Sequence, residues 1–490
     1  MESQEAYDAP CTVRKVYSTR CNILSPFLHA LAHYTLTNIS SGAPLAVKGL
    51  KHTRESVVQQ ELGVLERAKT LGQIGDACLS AAGALRSLDI FDGCDLLVDA
   101  ARQADGSNGP QADIVVTVAE KKRLTSASTG VSTQAGEGSM DAKVSVRNLF
   151  GFAEKFDLNM ELGQQKSSVF RLAAARPRWL GSDAMLSADI SKCAISHVKH
   201  SSFVEKLLGG SCGMVIGQPD EYLGCHDFSG VVSLRDVCQL EKNTASWPIL
   251  QQRGLTLKSS LMHTFSLRRL DHPIIPTDGV NLKLTTELAG LVPTPVLGDV
   301  KFFKQTLQAS AYVPLLERLT LGMSVHAGLL LPLGGSRSAN QGESCISDRF
   351  FLGGPGSMWG FRTRGVGPRE LRHTATGEGV SPNDPKAPRD SLGGDVMAVG
   401  TATLSVALPG KLEDANVRAH VFASGGGLQS LSTLNREGSF LPSLRACIGV
   451  GVAIPTAVGK VELNLTQVLR HRPEDAVVKN GVQLGITPNV

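Results

Sequence analysis

Hydrophobic and polar side chains alternate strictly over much of the chain. Between Leu319 and Leu329, the apolar residues Leu319, Leu321, Met323, Val325, Ala327 and Leu329 are separated by Thr320, Gly322, Ser324, His326 and Gly328. A period of two gathers the apolar side chains on one face of a strand, whereas a helix would scatter polar groups all round. The uncharged run Leu319–Ser336 approaches the length of a membrane-spanning helix, and this alternation decides against that reading. The same texture recurs at Phe156, Leu158, Met160 and Leu162, at Val280, Leu282, Leu284 and Leu288, and at Val461, Leu463 and Leu465. About sixteen such segments, separated by turn residues, fit between residues 124 and 490.

Alternation alone fits either a soluble sandwich, which buries the apolar face, or a membrane barrel, which shows it to lipid. Glu161, Lys283, Glu287 and Glu462 lie on the polar face inside the strands, as expected of a wet lumen. An even strand count, with each strand near the roughly 9–11 residues needed to cross a bilayer, favours an all-β transmembrane antiparallel β-barrel over residues 122–490. Aromatic residues make up only 5% of the chain, with three tryptophans (Trp179, Trp247 and Trp359), so interfacial aromatic girdles are expected to be thin.

Residues 41–121 read differently. Leu45 and Val47 open a short strand. Val58, Leu62 and Leu65 then mark one helix face, with Thr53 and Ser56 as N-cap candidates, and Ile74, Ala77, Ala81, Leu85 and Leu88 mark a second helix ending near Asp92-Gly93. Strands at Leu96–Asp99 and Ile114–Glu120 flank the turn-rich stretch 106–110. The order β-α-α-β-β describes a small α+β domain with helices over one sheet face. In residues 1–40, Leu24, Phe27, Leu28 and Leu31 allow a short amphipathic helix, and no cleaved targeting segment is evident.

The composition narrows the function classes. The 51 glycines carry no Gly-X-Y repeat and fit a turn-rich β chain. A net charge of +4, from 49 basic and 45 acidic residues, is too balanced for a nucleic-acid surface. The ten cysteines contain no C-x-x-C pair, so neither a zinc site nor a compact disulfide framework is expected. No Walker loop, H-E-x-x-H or G-x-S-x-G occurs. His326 and His420 sit within strand patterns, and Cys345 has no adjacent base. No enzyme, cofactor or metal is expected.

One connection, 334–393, is far longer than ordinary loops. It contains Asp348-Arg349-Phe350-Phe351-Leu352-Gly353-Gly354-Pro355-Gly356-Ser357-Met358-Trp359-Gly360-Phe361-Arg362-Thr363-Arg364-Gly365-Val366-Gly367-Pro368-Arg369. This string closely resembles the signature loop of the barrel subunit of the mitochondrial sorting and assembly machinery, a family within the superfamily that includes the bacterial BamA barrel. Arg349, Phe350, Leu352, Gly353, Gly354, Pro355, Ser357, Gly360 and Phe361 match in register. Trp359 stands where the family carries an arginine. Val144–Gly151 is similar to the family's early-barrel region, the 41–121 domain resembles a polypeptide-transport-associated (POTRA) domain, and Gln483, Gly485, Pro488 and Val490 resemble the closing signal of barrel precursors.

The resemblance implies that the loop folds into the lumen and that its arginine meets an acid of the wall; with Trp359 present, Arg362 or Arg364 is the substitute. It also implies a lateral gate between residues 124–134 and 481–490, where incoming β-barrel precursors pair with exposed strand edges. The partners implied are precursor polypeptides, accessory subunits and the lipid bilayer. The place implied is the mitochondrial outer membrane, with the N-terminal domain in the intermembrane space. The rivals are a related protein-conducting channel such as one of a plastid envelope, a passive porin-like channel, and a soluble β-rich binding protein.

Overall fold

The computed structural model describes residues 12–17, 47–65, 68, 71–100, 111–122, 124–134, 137–164, 167–179, 184–238, 245–290, 300–334, 344–373, 387–456 and 459–488. The expected helix around Leu24–Leu31, the turn at 106–110 and Val490 lie outside them. Two compact units make up the chain. One is Met1–Ser128 with Lys143–Leu158 and Ala173–Ser187; the other is Thr129–Ala142, Asn159–Leu172 and Ala188–Val490.

The first unit contains β1 (Thr12–Tyr17), α1 (Glu55–Leu62), α2 (Leu71–Ser87), β2 (Phe91–Ala100) and β3 (Gln111–Glu120). The sheet order is β1-β3-β2, with β1 parallel and β2 antiparallel to β3. The third strand is thus supplied by Thr12–Tyr17, where the sequence left residues unassigned, while Lys48 makes a single parallel bridge to Thr117. A six-residue edge strand carrying Arg14 and Lys15 is too short and too charged to show a period.

The apolar stripes behave as their spacing predicts. Val58, Leu62 and Leu65, with Ile74, Ala81 and Leu85, close over Ile90, Ile114, Val116 and Val118, each large aliphatic contributing about 1.5–3 kcal/mol. Neither expected N-cap residue caps α1. Arg54 occupies that position without a side-chain bond, because Thr53 is engaged elsewhere: its N–H donates to Glu120 Oε1 (2.8 Å) and its hydroxyl accepts from Asn148 Nδ2 (2.8 Å). The second helix stops at Ser87, earlier than expected. Asp89 takes a left-handed φ of 53° and bonds Lys121 and Arg147.

The remaining strands form one sixteen-stranded sheet. Its first half is β4 (Thr125–Gln134), β5 (Glu137–Arg147), β6 (Lys155–Gly163), β7 (Ser168–Arg176), β8 (Ala184–Ser196), β9 (Val204–Ile216), β10 (Cys225–Cys238) and β11 (Gly254–Leu270). β12 (Gly279–Ala289), β13 (Phe302–Leu316) and β14 (Leu319–Pro332) lead into the long loop, which carries the hairpin β15 (Arg369–Leu371) and β16 (Arg389–Ser391). β17 (Val396–Ala407), β18 (Arg418–Gln429), β19 (Leu444–Thr456), β20 (Gly459–Arg470) and β21 (Val482–Pro488) complete the sheet.

Pairing runs in chain order, with β17 beside β14, and is antiparallel between neighbours from β9 onward. β4 and β21 end the order, and among the described residues no ladder joins them. No helix among the described residues is long and apolar enough to cross a membrane.

The alternation resolves in one direction. Leu261, Met323, Val325, Val421, Leu463, Leu465 and Leu484 are exposed, while Ser233, Arg235, Thr256, Lys258, Thr320 and Asn464, on the opposite face, are buried. A soluble sandwich would show the reverse. An apolar face left open beside a covered polar one is the arrangement of a wall that meets lipid outside and water within.

Candidate functional site

The long loop packs on the polar face of the sheet, and its course follows from its glycines. Gly353, Gly354 and Gly360 have φ of 110°, 101° and 84°, a region that side-chain-bearing residues rarely adopt. All three are also close approaches: a Cβ on Gly353 would lie 2.7 Å from Arg362 O, one on Gly354 2.9 Å from Thr363 Cα, and one on Gly360 2.7 Å from Val468 Cγ2.

Around these turns the loop closes on itself. Phe350 and Gly394 exchange backbone bonds of 2.8 and 2.9 Å, Val366 N–H donates to Leu352 O (3.0 Å), and Met358 O accepts from Gly354 N–H (3.0 Å). Ser357 Oγ accepts from Gly353 N–H (3.4 Å). Arg349 clamps the two limbs: its guanidinium donates to Ser344 Oγ and Ser344 O at 2.8 Å each and to Leu392 O at 3.2 Å. Gly367 backs onto Leu428, and Pro368 O accepts from Leu392 N–H (3.0 Å).

Of the two arginines proposed as substitutes for the missing loop arginine, Arg364 is half-buried and within electrostatic reach of the wall carboxylate Glu205 on β9. The Arg362 side chain is exposed, and the Arg364 guanidinium stacks 4.1 Å over the Phe351 ring. A loop-to-wall ion pair of the opposite polarity is also present. Asp348, at the end of a short 3-10 turn on the loop, accepts from Arg235 Nη1 of β10 (2.9 Å) and Lys258 Nζ of β11 (3.3 Å). Lys304 Nζ of β13 donates to the Asp348 carbonyl (2.7 Å) and lies 4.6 Å from the Phe350 ring. Lys258 also meets Glu287 at 2.5 Å. Burial would push the Asp348 carboxyl upward; Arg235, Lys258 and Lys304 outweigh it and hold the group below its ordinary value.

The loop reaches the last strand, and here the two groups of residues singled out from sequence come together. Gln483 of β21 accepts from Gly360 N–H (2.6 Å) and donates from Nε2 to Phe361 O (2.9 Å). Gly485, two residues on and so on the same face, gives the loop its seat: a Cβ there would lie 2.6 Å from Trp359 Cη2 and 2.8 Å from Pro355 Cβ. Trp359, buried between Gly485 and the Phe422 ring (centroids 6.4 Å), therefore does packing work where the family pattern has a charge. Pro488 pairs in register with Gly459 at the end of β21, a position where its missing N–H does little harm.

A third contact reinforces this one. The connection between β20 and β21 bonds the loop backbone: Arg362 N–H to Ala476 O, Ala476 N–H to Gly365 O (both 2.8 Å) and Val478 N–H to Gly360 O (3.0 Å). That connection is pinned by a fully buried bidentate pair, Arg445 Nε and Nη2 to Asp475 Oδ2 and Oδ1, both 2.9 Å.

Arg235, Lys258, Arg445 and Asp475 are not distinguished by sequence, and Asp348 stands there only at the head of the loop string, with no role. Basic residues inside strands, Arg235 and Lys258, were the available signal. We expect Gly485→Val to lift the Trp359 indole off β21 and speed tryptic cleavage at exposed Arg362 in the folded protein; an unchanged cleavage rate would show that the ring and strand do not depend on each other.

Among the described residues no cluster of three or more metal-ligating side chains occurs. Comparison with known proteins places the chain in a family. The Omp85 superfamily domain matches residues 148–487. Over 457 residues, 90% of this chain and 89% of the relative, it is 27% identical to a SAM50-like protein of Schizosaccharomyces pombe. It is 28% identical to the human sorting and assembly machinery component 50 homolog over 448 residues, 89% and 87% of the two chains. In fold it is similar to BamA from Haemophilus ducreyi lacking POTRA domains 1–3, with a TM-score of 0.71 at 16% identity, covering 96% of this chain and 83% of that one. With its model matched over well beyond half of the sequence, the chain belongs to the Omp85 superfamily.

Proposed function

We propose that this protein inserts and assembles β-barrel precursors in the mitochondrial outer membrane, working at a lateral gate between β4 and β21, with the N-terminal domain in the intermembrane space as a POTRA-type domain. The observation that carries the reading is the treatment of β21. It is a seven-residue strand paired on one side with β20 and held by the loop through Gln483 and Gly485. A strand paired along one edge and steadied by side-chain contacts on one face keeps N–H and C=O groups available at its other edge.

Lipid provides no partner for unpaired backbone, so a precursor strand enters the bilayer readily only when its hydrogen bonds form as it enters. An available edge supplies them by strand addition, without a nucleophile or cofactor. The SAM50 relatives, named for a sorting and assembly machinery, support precursor barrels and accessory subunits of such a machinery as partners.

The test is import of radiolabelled precursors into mitochondria depleted of this protein. Assembly of a porin-type barrel is expected to fail while a helical matrix protein imports normally. Normal porin assembly, or equal failure of both, would overturn the proposal and favour a channel.

A further inference from the structure

The compact unit that holds the N-terminal domain also holds two turns of the wall, β5–β6 and β7–β8. Three side-chain-bearing residues in those turns have left-handed backbone: Asn148 (φ 53°), Ala153 (58°) and Arg178 (51°). Each such residue costs about 1–3 kcal/mol unless its surroundings hold it there. In every case the surroundings include the N-terminal domain. Asn148 Nδ2 donates to Thr53 Oγ1 (2.8 Å) and its Oδ1 accepts from Ala153 N–H (3.0 Å), while Ala153 is buried in the domain's own apolar core. Arg178 Nε and Nη2 grip Glu61 of α1 at 2.7 and 2.9 Å, and Glu61 is only 3% exposed.

The backbones meet as well. Arg54 N–H donates to Gly151 O (2.9 Å), and a Cβ on Gly151 would lie 2.6 Å from His52 O. The Phe152 ring lies between two guanidinium groups, Arg54 at 3.9 Å and Arg176 at 4.2 Å. A passing contact between a mobile domain and a surface would not concentrate strain, a nearly buried carboxylate and a close backbone approach on two short turns.

We propose that these turns are a preformed cradle that fixes the N-terminal domain to the β5–β6 and β7–β8 turns of its own compact unit, and that Arg178 is a positioning residue for precursor insertion, acting through Glu61. The domain and these turns then keep one arrangement through the cycle. The inference rests on the insertase reading for its functional half only.

The test uses the full chain in liposomes, with two independent measurements: hydrogen exchange at Arg54, and the insertion rate of a purified porin-type precursor. Arg178→Glu is expected to speed exchange at Arg54 about tenfold, the effect of a charge pair that is only partly screened, and to slow insertion. Adding Glu61→Arg is expected to restore both. In Glu61→Cys with Arg178→Cys, insertion is expected to be slow and to recover when a short bismaleimide joins the two thiols, the wild-type chain treated identically serving as the control for its own cysteines.

Unchanged exchange in Arg178→Glu, or a joined double-cysteine protein that folds yet inserts nothing, would overturn the proposal. Failure of the wild-type chain to insert would count against the insertase reading alone, because the exchange measurement still decides whether the domain is fixed.

Discussion

Asp348→Asn is expected to free the long loop from the wall while leaving the sheet intact. The substitution keeps the side-chain shape and removes the charge facing Arg235 and Lys258, both nearly buried. Removing one partner of a buried ion pair costs about 3–5 kcal/mol. Lys258 retains Glu287, so the loss falls chiefly on Arg235 and the lower end of that range applies. In a folded detergent sample, the loosened loop backbone of the variant should be cut by trypsin at Arg362 and Arg364 under conditions that leave the wild type whole.

The effect has a defined pH signature. The Asp348 carboxyl lies below its ordinary value in the folded protein, so its contribution is complete above the unfolded value of about 3.9. It is lost as pH falls through the lower folded value. The difference between wild type and variant should therefore be constant near neutrality and vanish in strong acid. A difference unchanged down to that range would mean that the charge is not what holds the loop.

Asp475→Ala is expected to have the second large effect, and to be felt at β21. Its loss leaves the Arg445 guanidinium, 2% exposed as a residue, without the two 2.9 Å bonds that neutralise it, again at a cost of about 3–5 kcal/mol. Because the pinned connection bonds the loop at Arg362, Gly365 and Gly360, the last strand loses support from two directions. Heat-dependent mobility on gels should shift to a lower unfolding temperature. Replacing both partners, Arg445→Met with Asp475→Leu, should recover most of the loss, since an apolar pair of similar volume leaves no charge uncompensated. If the double variant unfolds as readily as the single one, the connection depends on the specific bonds and not on charge balance.

Much of this architecture was legible in the sequence because sheet geometry writes itself at a period of two. Leu319–Leu329 and Val461–Leu465 displayed their apolar rows, and the Gly-rich string around Gly353 and Gly360 announced a loop with special backbone demands. Covering both possibilities, the alternation did not tell which face was covered; that depends on what packs there, which only the loop's position reveals. Asp348 and Arg235 are 113 residues apart, so no local pattern joins them. The same holds for Thr53, whose capping chemistry was diverted by Asn148 and Glu120. β1 was missed because six residues with two charges carry no period, and its identity comes from pairing with β3.

The parity of the sheet carries a consequence for topology. Antiparallel neighbours reverse direction at each step, so after an even number of crossings a chain returns to the side from which it set out. With sixteen strands in the large sheet among the described residues, the β15–β16 hairpin standing apart from it, the polypeptide enters the first strand and leaves the last one in the same aqueous compartment. An epitope fused after the final strand and one placed just ahead of β4 would then be shielded from, or exposed to, an added protease together, whichever compartment that is.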